Sequence, residues 1–196
     1  MTEKMGQESA KASRKPRADS LRNREKLLAA AAEIFRDGGP EASLDAVARR
    51  AGVGIGTLYR HFPTRDALFE AVYRRDVDQL ADLAEELAAA EDPVAALRDW
   101  LHRGVDVVAT KKGMLATLAL ATEGKQELFA YTTGRMYAAA GMLLDRAVAA
   151  GALRSDVAAE DVLRALVGLC SMRDQPDWRQ SVTRLLDIFV DGLKRR

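Results

Sequence analysis

The chain has 196 residues, of which 48% are hydrophobic and 30% charged. This length accommodates one or two domains and excludes a large multidomain enzyme, and the composition is that of a soluble globular protein. The 30 Lys and Arg and the 29 Asp and Glu residues leave a formal net charge of +1, which as a total argues against a strongly basic nucleic-acid-binding chain.

The predicted secondary structure is all-α, because apolar residues recur at helical spacing and no segment alternates apolar and polar residues as a strand does. Residues 1–18 are polar and lack an apolar period, which predicts a disordered arm. About nine helices follow, and we expect them over residues 20–37, 43–51, 55–61, 63–90, 93–110, 113–122, 125–150, 158–172 and 178–194. Gly151 is the expected C′ glycine of the seventh.

Residues 43–62 predict a helix-turn-helix, since two short helices flank a turn that contains glycine. Gly52 is able to adopt the left-handed conformation that ends the first helix sharply. Ala48 is small where the second helix has to cross closely. The core between the two helices is expected to contain Val47, Ala51, Val53 and Leu58, with Phe62 also pointing inward.

The outward face of the second short helix follows from its geometry. With Leu58 inward and a step of about 100° per residue, the residues that face outward or lie on the flanks are Gly56, Thr57, Tyr59 and Arg60. This polar face suits the major groove of DNA. Thr57 and Arg60 are candidates for base contacts, and Tyr59 and His61 for contacts to phosphate oxygens.

The long helix that follows Pro63 offers a second anion site, because its first amides lie beside Thr64 and Arg65. A plain αα-hairpin within a helical bundle is the structural alternative for the whole segment. A phosphate-binding loop is rejected: Gly52, Gly54 and Gly56 alternate, but no strand precedes them and neither nucleotide-binding glycine motif is present.

A family resemblance rests on Ala32-Glu33-Ile34-Phe35, Gly38-Gly39, Ser43-Leu44-Asp45-Ala46-Val47-Ala48, Ala51-Gly52-Val53 and Gly56-Thr57-Leu58-Tyr59-Arg60-His61-Phe62-Pro63. With these segments, residues 20–68 resemble the DNA-binding domain of TetR-family transcriptional regulators. Gly151-Ala152-Leu153-Arg154 and Asp161-Val162-Leu163-Arg164 are similar to the regulatory domain called SbtR-like.

This resemblance implies a homodimeric repressor that binds a palindromic operator in double-stranded DNA and releases it when a small-molecule effector binds. It divides the chain into the arm, a helix-turn-helix domain over 19–65 and a ligand-binding and dimerisation domain over 66–196. It points to Thr57, Tyr59, His61 and Arg65 as DNA contacts. The full candidate set is Ser43, Gly54, Gly56, Thr57, Tyr59, Arg60, His61, Thr64 and Arg65.

The charge is unevenly distributed along the chain. Residues 1–60 contain 12 basic and 8 acidic residues, whereas residues 61–196 contain 18 and 21, so that +4 and −3 sum to +1. Seven basic residues stand against Asp19 and Glu25 within 11–26. A basic arm before a helix-turn-helix fits contact with the DNA backbone or minor groove, and a solvated tail is the alternative.

The last two predicted helices have apolar residues on more than one face, which indicates burial against both the body and a partner. Candidate dimer contacts are Val162, Leu166, Leu169, Val182, Leu186 and Phe189. An intramolecular core is the alternative.

Ligand contacts are expected among the middle helices, and ordinary core packing is the alternative for each residue. The candidates are Trp100, His102, Met114, Leu118, Thr122, Phe129, Tyr131, Met136 and Tyr137.

Other classes of function find little support. The sequence contains no nucleophile motif, no zinc-protease motif and no close pair of histidines, so nothing in it indicates an enzyme. Asp99 and Asp106 flank His102 at helical spacing, but a hydrogen-bonded helix surface explains them better than a metal site, and no cofactor is expected. A helical adaptor that does not bind DNA is the further alternative.

Cys170 is the single cysteine and no long apolar run is present, so we expect a cytoplasmic protein without membrane contact.

Overall fold

The chain folds into a set of α-helices. The computed structural model describes the backbone of residues 3–38, 42–118, 124–171 and 177–195, and the side chains of 18–35, 42–108, 126–171 and 177–195. In chain order the helices are α1 (Glu3–Gly38), α2 (Leu44–Ala51), α3 (Ile55–His61), α4 (Arg65–Leu87), α5 (Pro93–Leu118), α6 (Gly124–Ala149), α7 (Ala159–Leu169) and α8 (Trp178–Gly192).

The all-α prediction is confirmed, with eight helices over these ranges where about nine were expected. The helices predicted over 93–110 and 113–122 form the single helix α5 up to Leu118. Gly113, at the predicted start of the second of these helices, costs about 1 kcal/mol relative to alanine in a helix, which weakens a helix without ending it.

The first helix begins earlier than its predicted start at Ser20. The structure continues α1 back to Glu3, where the sequence predicted a disordered arm over residues 1–18. The physical reason lies in intrinsic propensity, because this segment is rich in Ala, Lys, Glu, Gln and Arg. These residues favour a helix even where no apolar stripe marks a buried face.

Two glycines end helices as predicted. Gly52 has a φ of +69° and Gly151 a φ of +72°, in the left-handed region where glycine has no steric penalty. At the end of α6, the Ala152 amide donates to the carbonyl of Ala147 at 3.0 Å. Both turns therefore satisfy carbonyl groups that the end of a helix leaves without intrahelical donors.

The described chain divides into two compact units, with the boundary between Val72 and Tyr73 inside α4. The sequence placed this boundary after Arg65, at the start of α4. The first unit extends further because the first turns of α4 pack within it. The ring of Phe69 stacks on Phe35 of α1 at 3.9 Å between centroids.

The second unit encloses a core built from α5, α6, α7, α8 and the later turns of α4. Trp100 is fully buried there, and its indole nitrogen donates to the carbonyl of Leu80 at 2.8 Å. The isolated pairing of Leu153 with Lys194 brings the end of the described chain against the loop after α6. Cys170, the C-cap residue of α7, is also fully buried in this core.

A polar cluster joins α5 to α8 at the edge of this core. Arg98 donates to Asp187 and to Asp191, each at 2.8 Å. His102 Nε2 lies 2.9 Å from the same Asp187 carboxylate. The hydrogen bond from Arg98, followed by that with His102, holds the pKa of Asp187 below its usual value. The cluster therefore fixes α8 on α5 by charge-assisted hydrogen bonds.

Candidate nucleic-acid interface and ligand cavity

The helix-turn-helix predicted from the sequence is formed by α2, a short turn and α3. The Gly52 amide donates to Arg49 at 3.1 Å, and the Val53 amide donates to Ala48 at 3.0 Å, so the chain turns sharply at the end of α2. The residues that hold the two helices together are Val47, Ala48, Ala51, Leu58 and Phe62, all of them buried, with Val53 half-buried. The predicted small core is thus present.

The outer face of α3 is open to solvent. Tyr59 is 49% exposed, Gly56 and Arg60 are exposed, and Thr57 and His61 are half-buried. This is the orientation expected from placing Leu58 inward, because Leu58 itself is fully buried. The face combines hydroxyl, guanidinium and imidazole groups, which are donors suited to base edges and phosphate oxygens.

Two candidate contacts lie at the starts of the short helices. Ser43 is exposed and is the N-cap residue of α2, but its side chain makes no capping hydrogen bond. Gly54 is the N-cap residue of α3, and its carbonyl accepts from the Thr57 amide at 2.9 Å. The absence of a side chain at Gly54 leaves open space there, which allows a close approach by another molecule.

At the predicted anion site before α4, both Thr64 and Arg65 already have hydrogen-bond partners within the chain. Thr64 Oγ1 accepts a hydrogen bond from the Ala67 amide at 3.1 Å and so caps the helix. Arg65 is half-buried and donates to the carbonyl of Ala42 at 2.8 Å. This bond ties the start of α4 to the segment before α2, so Arg65 has a structural role in addition to any contact with phosphate.

Part of the predicted basic arm lies outside the described side chains, which begin at residue 18. Of its later residues, Arg22 pairs with Asp19 at 2.7 Å, and the guanidinium of Arg24 lies 5.3 Å from the centre of the Phe62 ring. On α2, Arg50 pairs with Glu33 of α1 at 2.7 Å. The Arg22 pair lies within α1, whereas Arg24 and Arg50 help to fix α1 against the helix-turn-helix.

A cavity of about 430 Å³ lies in the second unit. Its apolar lining consists of Leu80, Val107, Val108, Phe129, Met136, Leu163, Leu166 and Val167, with Gly104 and Gly168, and its polar lining of Tyr73, Thr132, Thr133, Tyr137 and Arg164. Pockets for drug-sized ligands occupy about 300–1,000 Å³ and are mostly apolar with a few polar groups. The cavity matches that description.

Tyr73 and Thr132 are the most buried of the polar lining residues, at 5% and 1% exposed, and this pair is called the polar end of the cavity. Thr132 Oγ1 donates to the carbonyl of Leu128 at 2.8 Å. Burial raises the pKa of the Tyr73 phenol, the hydrogen bond with Thr132 opposes that shift, and the nearby Asp76 carboxylate adds to it. Tyr73 is therefore a neutral phenol that keeps its proton.

A set of polar contacts joins α4 to α6 in the second unit. The Tyr131 hydroxyl donates to Asp78 at 2.7 Å, and Arg135 donates to Asp82 at 2.9 Å. The guanidinium of Arg74 lies 4.7 Å from the centre of the Tyr131 ring. The hydrogen bond to Asp78 raises the pKa of Tyr131, so this tyrosine is held on the surface as a neutral donor.

Comparisons with known proteins agree with this geometry. Residues 27–72 match the family model of bacterial regulatory proteins of the tetR family, and residues 92–195 match the C-terminal domain of SbtR-like transcriptional regulators. The crystal structure of the TetR transcriptional regulator SCO0520 from Streptomyces coelicolor is 41% identical, with 87% of this chain and 98% of that chain covered at a TM-score of 0.76.

The chain belongs to the TetR family of transcriptional regulators. A TetR regulator from Mycobacterium vanbaalenii is 34% identical over 91% of this chain and 99% of its own, with a TM-score of 0.72. The HTH-type transcriptional regulator SAR0097 of Staphylococcus aureus is 31% identical over 101 residues, so the match spans half of that protein. This TetR-family chain is a DNA-binding transcriptional regulator with an SbtR-like C-terminal domain.

The structure separates the predicted ligand contacts of this TetR-family regulator into three groups. Phe129, Met136 and Tyr137 line the cavity. Trp100 lies in the core instead, His102 binds Asp187, and Tyr131 binds Asp78 and is not among the residues that line the cavity. The side chains of Met114, Leu118 and Thr122 lie outside the described residues. Sequence reasoning missed Tyr73 and Thr132, because neither residue stands in a motif and they are distant in the chain.

The predicted dimer contacts also divide. Val162, Leu166, Val182 and Leu186 are at most 2% exposed within a single chain, so the intramolecular alternative applies and they have no surface to offer a partner. Leu169 and Phe189 are partly buried at the edge of the core. The sequence-based set omitted the most exposed apolar residues of α7 and α8, which are Val167 at 44% and Ile188 at 67%.

The described residues of this TetR-family chain offer neither a metal site nor a membrane-spanning helix. Among them, no group of three or more His, Cys, Asp and Glu side chains is arranged to hold a metal ion. The helices they form include none with the length and apolarity needed to cross a bilayer.

Proposed function

We propose that this TetR-family chain is a ligand-responsive repressor that binds a palindromic operator as a homodimer in the cytoplasm. The observation that carries the proposal is the solvent-facing surface of α3, which presents Thr57, Tyr59 and Arg60 from a helix fixed by the buried Leu58. A helix of this kind enters the major groove, where side chains at its exposed face reach base edges and phosphates.

A homodimer explains why the operator would be a palindrome. A two-fold dimer presents the same helix twice, and half-sites on one face of B-DNA lie roughly 34–36 Å apart. The exposed Val167 and Ile188 on α7 and α8 support these two helices as the dimer surface. Leu169 and Phe189, at the edge of the core, extend that surface.

The cavity in the second unit supports the response to a ligand. Tyr73 and Leu80 of α4 line it, and α4 begins at Arg65, beside the helix-turn-helix. A molecule that binds better to one arrangement of α4 shifts the population towards that arrangement. Because coupling between two sites is reciprocal, a ligand that weakens operator binding must itself be bound less tightly by the DNA-bound protein.

The proposal is tested by footprinting the purified full chain on genomic fragments, followed by quantitative gel shifts on the protected site. We expect a protected palindrome. Tyr59→Phe removes a hydroxyl directed at a phosphate, so the binding free energy should weaken by a similar amount on all site variants, up to about 1.5–3 kcal/mol. Thr57→Val should instead change the preference between site variants, because it alters a base contact.

Tyr131→Phe is the matched control for these gel shifts, since it removes the same hydroxyl from an exposed tyrosine of α6 and should leave DNA affinity unchanged. The operator assignment is overturned if no palindrome is protected, or if Tyr59→Phe and Thr57→Val both bind every site variant as the unmodified chain does.

A further inference from the structure

We propose that the cavity of the second unit takes an uncharged, mainly apolar molecule with a single hydroxyl or carbonyl group, seated with that group against Tyr73 and Thr132. This inference rests on the proposed function in taking the cavity as the effector site. It goes further in stating what chemical class of effector the described walls accept.

The apolar share of the lining sets the first property of the ligand. Two-thirds of the described lining residues are aliphatic residues, glycine, Phe129 or Met136, and they come from α4, α5, α6 and α7. Met136 adds a flexible thioether, which adapts to the shape of an apolar partner. Burial of apolar ligand surface is therefore the main favourable contribution to binding.

The distribution of charge sets the second property. Arg164 is the charged residue among the described lining residues. Its side chain is 67% exposed, and it pairs with Glu160 and with Asp161. It thus lies at the solvent side of the cavity and is already matched by two carboxylates. An ionised group inside the cavity would lose its hydration without gaining a counter-ion from the described lining residues, which is strongly unfavourable.

The polar end sets the third property. The hydrogen bond between the two side chains lowers the pKa of Tyr73, so the phenol oxygen accepts in it, and the Thr132 hydroxyl proton can point either to Tyr73 or to the carbonyl of Leu128. The phenol oxygen of Tyr73 can still accept one hydrogen bond, and its proton can turn towards an acceptor on a ligand. A hydroxyl or carbonyl matches either arrangement. A carboxylate is disfavoured here, because the buried Asp76 already places negative charge near Tyr73.

The close contact at Gly104 shapes the wall between α5 and α7. A Cβ atom at this position would lie 2.7 Å from Leu166 Cδ2, so a side chain larger than hydrogen would displace Leu166. Both residues line the cavity, and the absence of a side chain at Gly104 therefore keeps the cavity at its present width.

The test measures binding to the full chain, without DNA, of three probes of one chain length that differ only in their head group: decanol, decanoate and decylammonium. Isothermal titration at neutral pH gives the affinities. We expect decanol to bind at least about tenfold more tightly than either ion, because each ion must be desolvated. Equal or tighter binding of an ion, or binding of none of the three, overturns the proposal.

Variants locate the head group. Tyr73→Phe and Thr132→Val should each weaken decanol binding by roughly three- to tenfold, the loss expected from one hydrogen bond. Tyr131→Phe, which removes a hydroxyl outside the cavity, should leave it unchanged. Thermal unfolding of each variant establishes that it is folded. Unchanged decanol affinity in folded Tyr73→Phe and Thr132→Val overturns the placement of the head group.

Operator binding is measured separately, so that the two proposals fail independently. A chain that binds decanol with the expected preference but does not respond to it on DNA supports the ligand class and contradicts the effector role. A chain that binds an operator but prefers decanoate supports the proposed DNA-binding function and overturns the ligand class.

Discussion

Two glycines only four residues apart have different physical roles in the helix-turn-helix. Gly52 ends α2 with a φ of +69°, whereas Gly56 lies within α3 in ordinary helical conformation. A Cβ atom at either position would meet no neighbour within 4 Å. Replacing either glycine by alanine therefore creates no steric clash, and the two substitutions differ only in the backbone conformation that alanine must adopt.

Gly52→Ala should destabilise the chain by about 1–2 kcal/mol, because an L-residue is strained in the left-handed region. Gly56→Ala should stabilise it by about 0.5–1 kcal/mol, because alanine loses less backbone entropy in a helix. Urea unfolding of both variants measures the difference. Shifts of the unfolding midpoint in the same direction would contradict this account of the turn.

At this scale the sequence was informative where local chemistry decides the structure. The turn at Gly52, the helix end at Gly151 and the inward position of Leu58 are all confirmed. Their conformations depend on the residues next to them, so spacing and residue type suffice. Arg65 is the exception, since its bond to the carbonyl of Ala42 joins residues that no motif relates.

Helix faces were predicted more successfully than the neighbours of those faces. Periodicity placed Val162 and Leu186 on apolar faces, but it does not say whether the apolar surface they meet belongs to the same chain or to another. The cavity presents the same difficulty, because Tyr73 and Thr132 meet only through the packing of α4 on α6. Pairing of distant helices was therefore beyond the reach of sequence patterns.

The ionic cluster between α5 and α8 makes the packing of α8 sensitive to pH. The pKa of Asp187 lies below its ordinary value because Arg98 and His102 stabilise the carboxylate. Its contribution to stability is fully present above the unfolded pKa of about 3.9 and is lost as the pH falls through the lower folded value. Partial exposure of Asp187 keeps this contribution modest.

Asp187→Asn should lower the melting temperature at neutral pH, and the gap to the unmodified chain should narrow as the pH falls below about 4. Thermal unfolding of both proteins across that range measures the gap. Asp99→Asn changes an exposed aspartate on α5 and serves as the control. If the difference in melting temperature between Asp187→Asn and the unmodified chain widens in acid, this ion pair does not stabilise the chain as described.

For the whole molecule, the near-zero net charge conceals a division between a basic N-terminal part and an acidic remainder. Residues 1–60 carry +4 and residues 61–196 carry −3. Because salt screens exposed charges over about 10 Å at 0.1 M, DNA experiences the local charge of the part it approaches. The net charge of the whole chain therefore says little about whether one of its two units binds DNA.

The proposed dimer gives a further prediction at this scale. Ile188→Glu places a charge on the most exposed large apolar side chain described on α8, and burying that charge against a second copy is costly. Sedimentation of the unmodified chain should show a dimer, and that of Ile188→Glu a shift towards the monomer.

Leu21→Glu is the matched control for this measurement, because Leu21 of α1 is similarly exposed at 63%. It should leave the dimer intact. A monomeric unmodified chain, or equal dissociation by both substitutions, would exclude α8 as the interface.

The reactivity of Cys170 reports how often the core of the second unit opens. It is the single thiol of the chain and is fully buried at the end of α7, so a thiol reagent can reach it only when that region opens. Every labelled molecule then records one opening event at a known position. A molecule bound in the cavity against α7 should slow this reaction, and the rate of labelling then follows occupancy without any added fluorophore or engineered residue.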